Sequence, residues 1–312
     1  MIHEQLDITH WKQVFSVAQM RAEGQQPDDY NIGGPRSIAV IEQLREEAFA
    51  TLPGIERVPT DIFLWNLGEP EQRAVTKISG VPYRAAGKPW PLAPSGIPMN
   101  FVAQFCFADS RDLLPPLPGD LLLVFIEGKE IRLKHPIPGW ERNVIYDIVL
   151  GHRNRHYSAV ESARLSAVTF EWVSLGEFPL ITPEEMPELP WKLVPVYGTR
   201  YRTWDYPNID GFAYPEVAEH IVTTLEATKI GGTPPSPWQP QDDLGSYLCT
   251  LNSVFYADTP VYPFLNVPGP ISTEEWRAHL NNPTRDFLKI GDMGLMNIFL
   301  AADGSLQWVA AG

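Results

Sequence analysis

The chain has 312 residues, 44% hydrophobic and 20% charged, which is apolar material for about two domains or one large core. Its 38 acidic and 24 basic residues leave a formal charge of −14. That balance disfavours nucleic acid and anionic lipid; an acidic face can steer a basic partner, but the simpler reading is that acidic totals keep a cytosolic protein soluble. The two cysteines, Cys106 and Cys249, form no CxxC, so neither a disulfide framework nor a zinc ribbon is supported, and both read as buried thiols. Met1-Ile2-His3-Glu4-Gln5 lacks the basic-then-apolar layout of a signal peptide, and no apolar run suffices for a membrane helix. The expectation is a cytoplasmic protein without membrane contact.

In chain order, residues 9–21 read as a helix capped by Thr9, with Trp11, Val14, Phe15 and Ala18 on one face and Gly24 past its end. A second helix is predicted over 37–52, with Ile38, Ile41, Leu44 and Ala48 as its apolar stripe and Glu42, Glu46 and Glu47 in water. Ile62 to Trp65 is a short strand. Gly80 and Pro82 bar a helix at 78–82. Strand composition runs from Met99 to Phe107, with Phe101, Ala103, Phe105 and Phe107 on one side and Gln104 on the other. After the turn at 115–119, the wholly apolar stretch 121–126 reads as a buried central strand.

Further strands are expected at 143–150, 165–174 and 192–197. A capping signal stands at Thr182-Pro183-Glu184-Glu185, and a connecting helix is expected over 215–228. Another helix start lies at Ser272 to Glu275. Asp303-Gly304 predicts a hairpin between 295–300 and 306–310. The fold class expected is α+β: mainly antiparallel β-sheets in two related halves, with N-terminal and connecting helices. The expected organisation is an N-terminal helical segment over 1–55, a first half over 56–214 and a second over 215–312, possible as one continuous domain.

The two halves are read from a repeated pattern. Lys77-Ile78-Ser79-Gly80-Val81-Pro82, Trp90-Pro91, Phe101-Val102-Ala103-Gln104-Phe105 and Leu117-Pro118-Gly119-Asp120-Leu121 form the first set. Lys229-Ile230-Gly231-Gly232-Thr233-Pro234, Trp238 and Gly291-Asp292-Met293-Gly294 form a degraded second. Together these residues resemble the YwqG-like family, a bacterial domain family without an established activity, over roughly residues 60–312. Two departures separate the halves: Ser79 against Gly231, and Gln104 against Thr250 if Phe101 aligns with Tyr247. The resemblance supplies no catalytic residues. It implies, by analogy, an association with bacterial toxin and immunity systems.

The candidate binding residues are Gly80, Trp90, Gln104, Gly232 and Trp238 from the motifs, and Arg200, Arg202 and Trp204 from a run alternating arginine with aromatics. Glycine beside proline permits positive φ and close backbone approach; each Trp needs a partner for its indole N–H; Gln104 in an apolar strand needs hydrogen bonds, with the Gly80 loop as a source. These needs are met equally by architecture. The arginine–aromatic run suits an interaction surface, or else a hairpin whose aromatics pair across strands. His152 and His156 share an i, i+4 spacing but lack a third ligand, so no metal and no cofactor is expected. No phosphate loop, dinucleotide fingerprint, nucleophile elbow or HExxH occurs. The leading expectation is a binding or interaction protein that is not an enzyme. The alternative is a hydrolase-type enzyme with a small-molecule pocket between the halves.

Overall fold

The structure, a computed structural model, describes residues 2–25, 35–50, 54–127, 167–190, 193–207, 224–235, 244–252, 264–266, 288 and 295–311. The strand predicted at 143–150, the histidines at 152 and 156, most of the helix at 215–228, Trp238, the capping box at 272–275 and the 291–294 motif lie outside the described residues.

The described chain is mostly antiparallel β-sheet, a nearly closed barrel with a few short helices. The strands are β1 (Val58–Leu67), β2 (Lys77–Ile78), β3 (Asn100–Cys106), β4 (Leu121–Ile126), β5 (Val168–Val173), β6 (Val196–Asp205), β7 (Lys229–Gly231), β8 (Ser246–Asn252), β9 (Leu295–Leu300) and β10 (Leu306–Ala311). They form one sheet in the order β10-β9-β8-β7-β1-β6-β2-β3-β4-β5. Its centre is the long β1–β6 pair, with Val58 opposite Asp205 and Leu67 opposite Val196. The chain crosses this seam twice. β2, which follows β1, pairs with β6, and β7, which follows β6, pairs with β1.

Alternation along the strands sets the two faces. Phe63 and Trp65 of β1, Val196 of β6, Leu122, Val124 and Ile126 of β4, and Met296 and Ile298 of β9 share the main core. Ile62 and Leu64 face the other way, beneath a helix. Opposite Trp65 stands Gly198, and the Phe63 ring lies over it; a Cβ there would meet that ring at 2.7 Å.

Strand alternation fails at one informative place. The expected stripe of Phe101, Ala103, Phe105 and Phe107 is broken by a β-bulge between Phe101 and Ala103. Ala103, Phe105 and Phe107 join the main core, whereas Phe101 turns to the opposite face with Leu123 and Phe125. An extra residue in one strand shifts the phase of every side chain beyond it. β8 carries its irregularity at the matching step, between Tyr247 and Cys249.

The N-terminal helix is interrupted. α1 spans Thr9–Val14 and α2 Val17–Ala22, because Ser16 is extended and its Oγ accepts from the Gln19 N–H at 3.4 Å. Ile8, not Thr9, is the N-cap of α1. Gly24, at φ +73°, ends α2 with Gly24 N–H to Arg21 O and Gln25 N–H to Met20 O, the paired bonds of a Schellman close. α3 (Pro35–Phe49) buries Ile38 and Ile41 on β1 and Val40 and Leu44 on α2. Glu42, expected in water, accepts instead from the Thr203 hydroxyl at 2.7 Å. Residues 224–228, where the connecting helix was predicted to end, are bends and loop. Among the described residues no helix is long and apolar enough to cross a membrane.

The main core draws on strands from both sides of the seam. Expressed alone, residues 215–312 are therefore expected to give an insoluble or molten product, since β7 would lose β1 and its apolar face would lose its cover. A cooperative monomeric unfolding transition for that fragment would contradict this.

Candidate functional site

The two Gly-Pro loops are built alike. Ser79 and Gly80 have φ of +59° and +76°; Gly231 and Gly232 have +70° and +76°. Lys77 pairs with Gln104 and Ile78 with Ala103, while Lys229 pairs with Thr250 and Ile230 with Cys249. The left-handed pair of residues folds each loop back over a carboxylate. Val81 N–H donates to Glu69 Oε1 at 2.9 Å and Lys77 Nζ to Glu69 Oε2 at 3.2 Å and to Val81 O. Thr233 N–H donates to Asp205 Oδ2 at 2.9 Å and Lys229 Nζ to the same oxygen at 2.7 Å. A Cβ on Gly80 would fall 1.8 Å from Glu69 Oε1, and one on Gly232 2.2 Å from Asp205 Oδ2. Glycine is thus required because the carboxylate occupies the space of a side chain.

Both lysines are buried, and burial lowers the ammonium pKa of each, against the opposing pull of its carboxylate. Removing either partner of such a pair leaves an uncompensated charge in the core.

The differences between the two loops have local causes. Gly231 lies under Leu113, which a Cβ would meet at 2.8 Å. Ser79 has room, and its Oγ donates to Leu193 O at 3.1 Å. Gln104 Oε1 accepts from Tyr83 N–H at 2.7 Å, and its Nε2 donates to Arg73 O and Val75 O. The bonds thus come from just beyond and before the Gly80 loop, not from Gly80 itself. In the second loop the residue after Pro234 is Pro235, which has no N–H to offer. There the polar work falls to a relay: Tyr247 hydroxyl to Thr250 Oγ1, Thr250 to Asn297 Oδ1 at 2.7 Å, and Asn297 Nδ2 to Pro235 O at 2.9 Å. Trp90 is half-buried, packs edge-on against Phe125, and donates its indole N–H to Met99 O at 2.8 Å. Gly80, Trp90, Gln104 and Gly232 are thereby engaged within the chain.

The arginine–aromatic run is one strand, β6, at the sheet centre, not a hairpin of its own. Arg200 and Arg202 share the core-side face with Asp61 of β1, which is wholly buried. Arg202 grips both Asp61 oxygens, Nε to Oδ1 at 2.5 Å and Nη2 to Oδ2 at 2.9 Å, and reaches Asp112 with Nη1 at 2.7 Å. Arg200 Nη1 donates to Asp61 Oδ2 at 3.2 Å and Asp109 O at 2.8 Å, and Ser110 Oγ donates to Asp61 at 2.6 Å. These contacts, those to Asp112 first, raise the Arg202 pKa further. Trp204 remains 38% exposed near the end of β6, with the Arg57 guanidinium 5.1 Å from its ring centroid.

Sequence reasoning missed the acidic partners and one histidine. Glu69 and Asp61 belong to no motif, and Asp205, inside the arginine–aromatic run, reads from sequence only as a charge opposing nucleic acid; the repeated Lys77 and Lys229 alone hinted that two carboxylates were needed. His3 is buried beside the same network. Its Nε2 accepts from Thr76 N–H at 2.8 Å, so its proton sits on Nδ1, 3.4 Å from Asp109 Oδ2. Asp109 Oδ2 accepts the backbone N–H groups of Ile2 and His3, and Glu4 and Leu6 bond the backbone of Arg200 in β6.

Residues 76–175 match a family described as a domain of unknown function, DUF1963. The match covers the first motif set and is consistent with the YwqG-like resemblance. No curated protein matches the chain.

Two outcomes are expected. Gly232→Ala should destabilise more than Gly80→Ala in urea unfolding: positive φ alone costs roughly 1–2 kcal/mol at either site. At Gly232 the obstructing atoms are the buried Asp205 and Thr60, whereas Glu69 can swing outward. A larger loss at Gly80 would contradict the clamp geometry. The second concerns His3, whose imidazole burial pushes down from 6.5 to about 4. The folded state then binds fewer protons than the unfolded state in that window, so the contribution is present above pH 6.5 and is lost as pH falls toward 4. The loss should reach about 3 kcal/mol, and His3→Gln should flatten it. Identical pH dependence in both proteins would contradict the assignment.

Proposed function

We propose that this protein is a non-catalytic binding or interaction protein, built from two related halves, that engages a protein partner through the surface around Trp204. The observation carrying this reading is how the conspicuous polar residues divide. Lys77, Lys229, Gln104, Asp61 and Asp205 are buried and spent on contacts within the chain. Trp204, near the end of the central strand β6 and on the same strand face as Arg202, stays 38% exposed with Arg57 over its ring. An exposed Trp flanked by arginine is a common anchor at protein interfaces. The charge of −14 favours a basic partner, and the YwqG-like resemblance favours a neutralising role.

The kinship of the halves is supported by the matched loop φ values, the matched registers and the matched bulges. Lys77 stands opposite Tyr197 and Lys229 opposite Ile62, so the seam strands correspond as well. Three residues on, that correspondence sets Trp65 against Arg200. Trp65 O accepts from Leu265 N–H, and Arg200 O from Leu6 N–H. Among the described residues the β1–β6 seam between the halves is paired along its whole length, with Phe63 over Gly198.

The test is a pull-down from the native host at low salt with wild type, Trp204→Ala and Arg202→Ala. One dominant basic partner is expected with wild type, weakened by salt and lost with Trp204→Ala. Recovery of nothing above background, or equal recovery by all three proteins, would refute the surface.

A further inference from the structure

The two lysine clamps close on carboxylates of different standing. Asp205 is a strand residue with no exposed side-chain surface, and it accepts from Leu225 N–H, Lys229 and Thr233. Glu69 comes from the 68–76 connection, is 40% exposed along its side chain, and accepts from Val81 N–H and Lys77. The surrounding charge differs too. Arg73 acts electrostatically on both Glu69 and Lys77, its Nε is buried without a hydrogen-bond partner among the described residues, and its Nη2 donates to Pro82 O at 2.6 Å. Lys77 is thus paired with a carboxylate that comes from the connection between β1 and β2, and Arg73 is bonded to the same loop at Pro82 O.

We propose that the 77–82 loop is a carboxylate-binding site, that Glu69 is its resident occupant, and that a carboxylate from outside the chain takes its place. The site is independent of the Trp204 surface. Its donors address the two oxygens separately, Val81 N–H one and Lys77 Nζ the other. The missing Cβ of Gly80 shapes the space, since a side chain there would overlap the bound oxygen. The entrant must be anionic, because Lys77 is 1% exposed and costly to leave unpaired. A neutral amide can accept from Val81 N–H but cannot balance Lys77. Exchange of carboxylate for carboxylate keeps the buried charge constant, and the displaced Glu69 moves into water it already touches. In the second clamp the same exchange is blocked, because Asp205 also holds Leu225 and belongs to β6.

The experiment follows the Gly80 and Val81 amide resonances of the full-length protein during titration with sodium acetate, against sodium chloride at matched ionic strength. An N-acetylated, C-amidated tripeptide with a central Glu, compared with its Gln counterpart, separates a peptide source from a free carboxylate. Wild type should show a saturable shift with acetate and not with chloride. Glu69→Ala should bind at least tenfold more tightly, and acetate should raise its melting temperature more than chloride does. Should Glu69→Ala fail to fold, the wild-type titration decides alone. Shifts that do not saturate, or that match those with chloride, would overturn the proposal.

Discussion

Two lysines with almost no contact with water fix the shape of this protein. A buried ammonium is tolerated only with a carboxylate and hydrogen bonds around it, and each lysine obtains both by the same device. Lys77 and Lys229 leave the sheet into loops whose next two residues but one are left-handed, and the loops close over Glu69 and Asp205. The carboxylate fills the volume a side chain would take at Gly80 or Gly232. Lysine, glycine and the pairing of β2 and β7 are thus a single constraint. β2 and β7 are only two and three residues long, yet each joins the central pair to three further strands.

This explains why the β1–β6 seam can carry charge. Asp61, Arg200 and Arg202 lie on the core-side face of the two longest strands, and they are satisfied by one another and by Ser110, Asp109 and Asp112. Arg202 uses the planar fork of its guanidinium on both Asp61 oxygens, which lysine could not imitate. The network reaches the start of the chain through Asp109 and His3, and Glu4 and Leu6 bond the central strand at Arg200.

Much of this was legible in the sequence and some was not, for identifiable reasons. The apolar stretch of β4, the Asp303-Gly304 hairpin and the close of α2 at Gly24 were readable because local pattern and tertiary role agree there. The Phe101 face was misassigned because a bulge leaves no mark in hydrophobic alternation. The break at Ser16 was missed because one cap outweighed a continuous helical period. Within the candidate site, Gly80, Gly232 and Gln104 stood out, but their partners did not. Glu69 and Asp205 sit eight residues before Lys77 and 24 before Lys229, so no fixed spacing ties carboxylate to lysine. The arginines of β6 looked like surface because their counter-ion, Asp61, is some 140 residues away in sequence.

The functional reading rests on what these constraints leave over. Among the described residues Lys77, Lys229, Asp61 and Asp205 are buried and bonded within the chain, whereas Trp204 and Glu69 are partly exposed. The central claim is that a lysine–carboxylate pair fixes each loop, and it is tested most directly by a double-mutant cycle on Lys229 and Asp205. Urea unfolding of Lys229→Met, Asp205→Leu and the double variant should give a coupling of about 2–3 kcal/mol, with the double variant more stable than the sum of the single losses allows. Additivity within about 0.5 kcal/mol would mean the two side chains do not depend on one another, and would contradict the account.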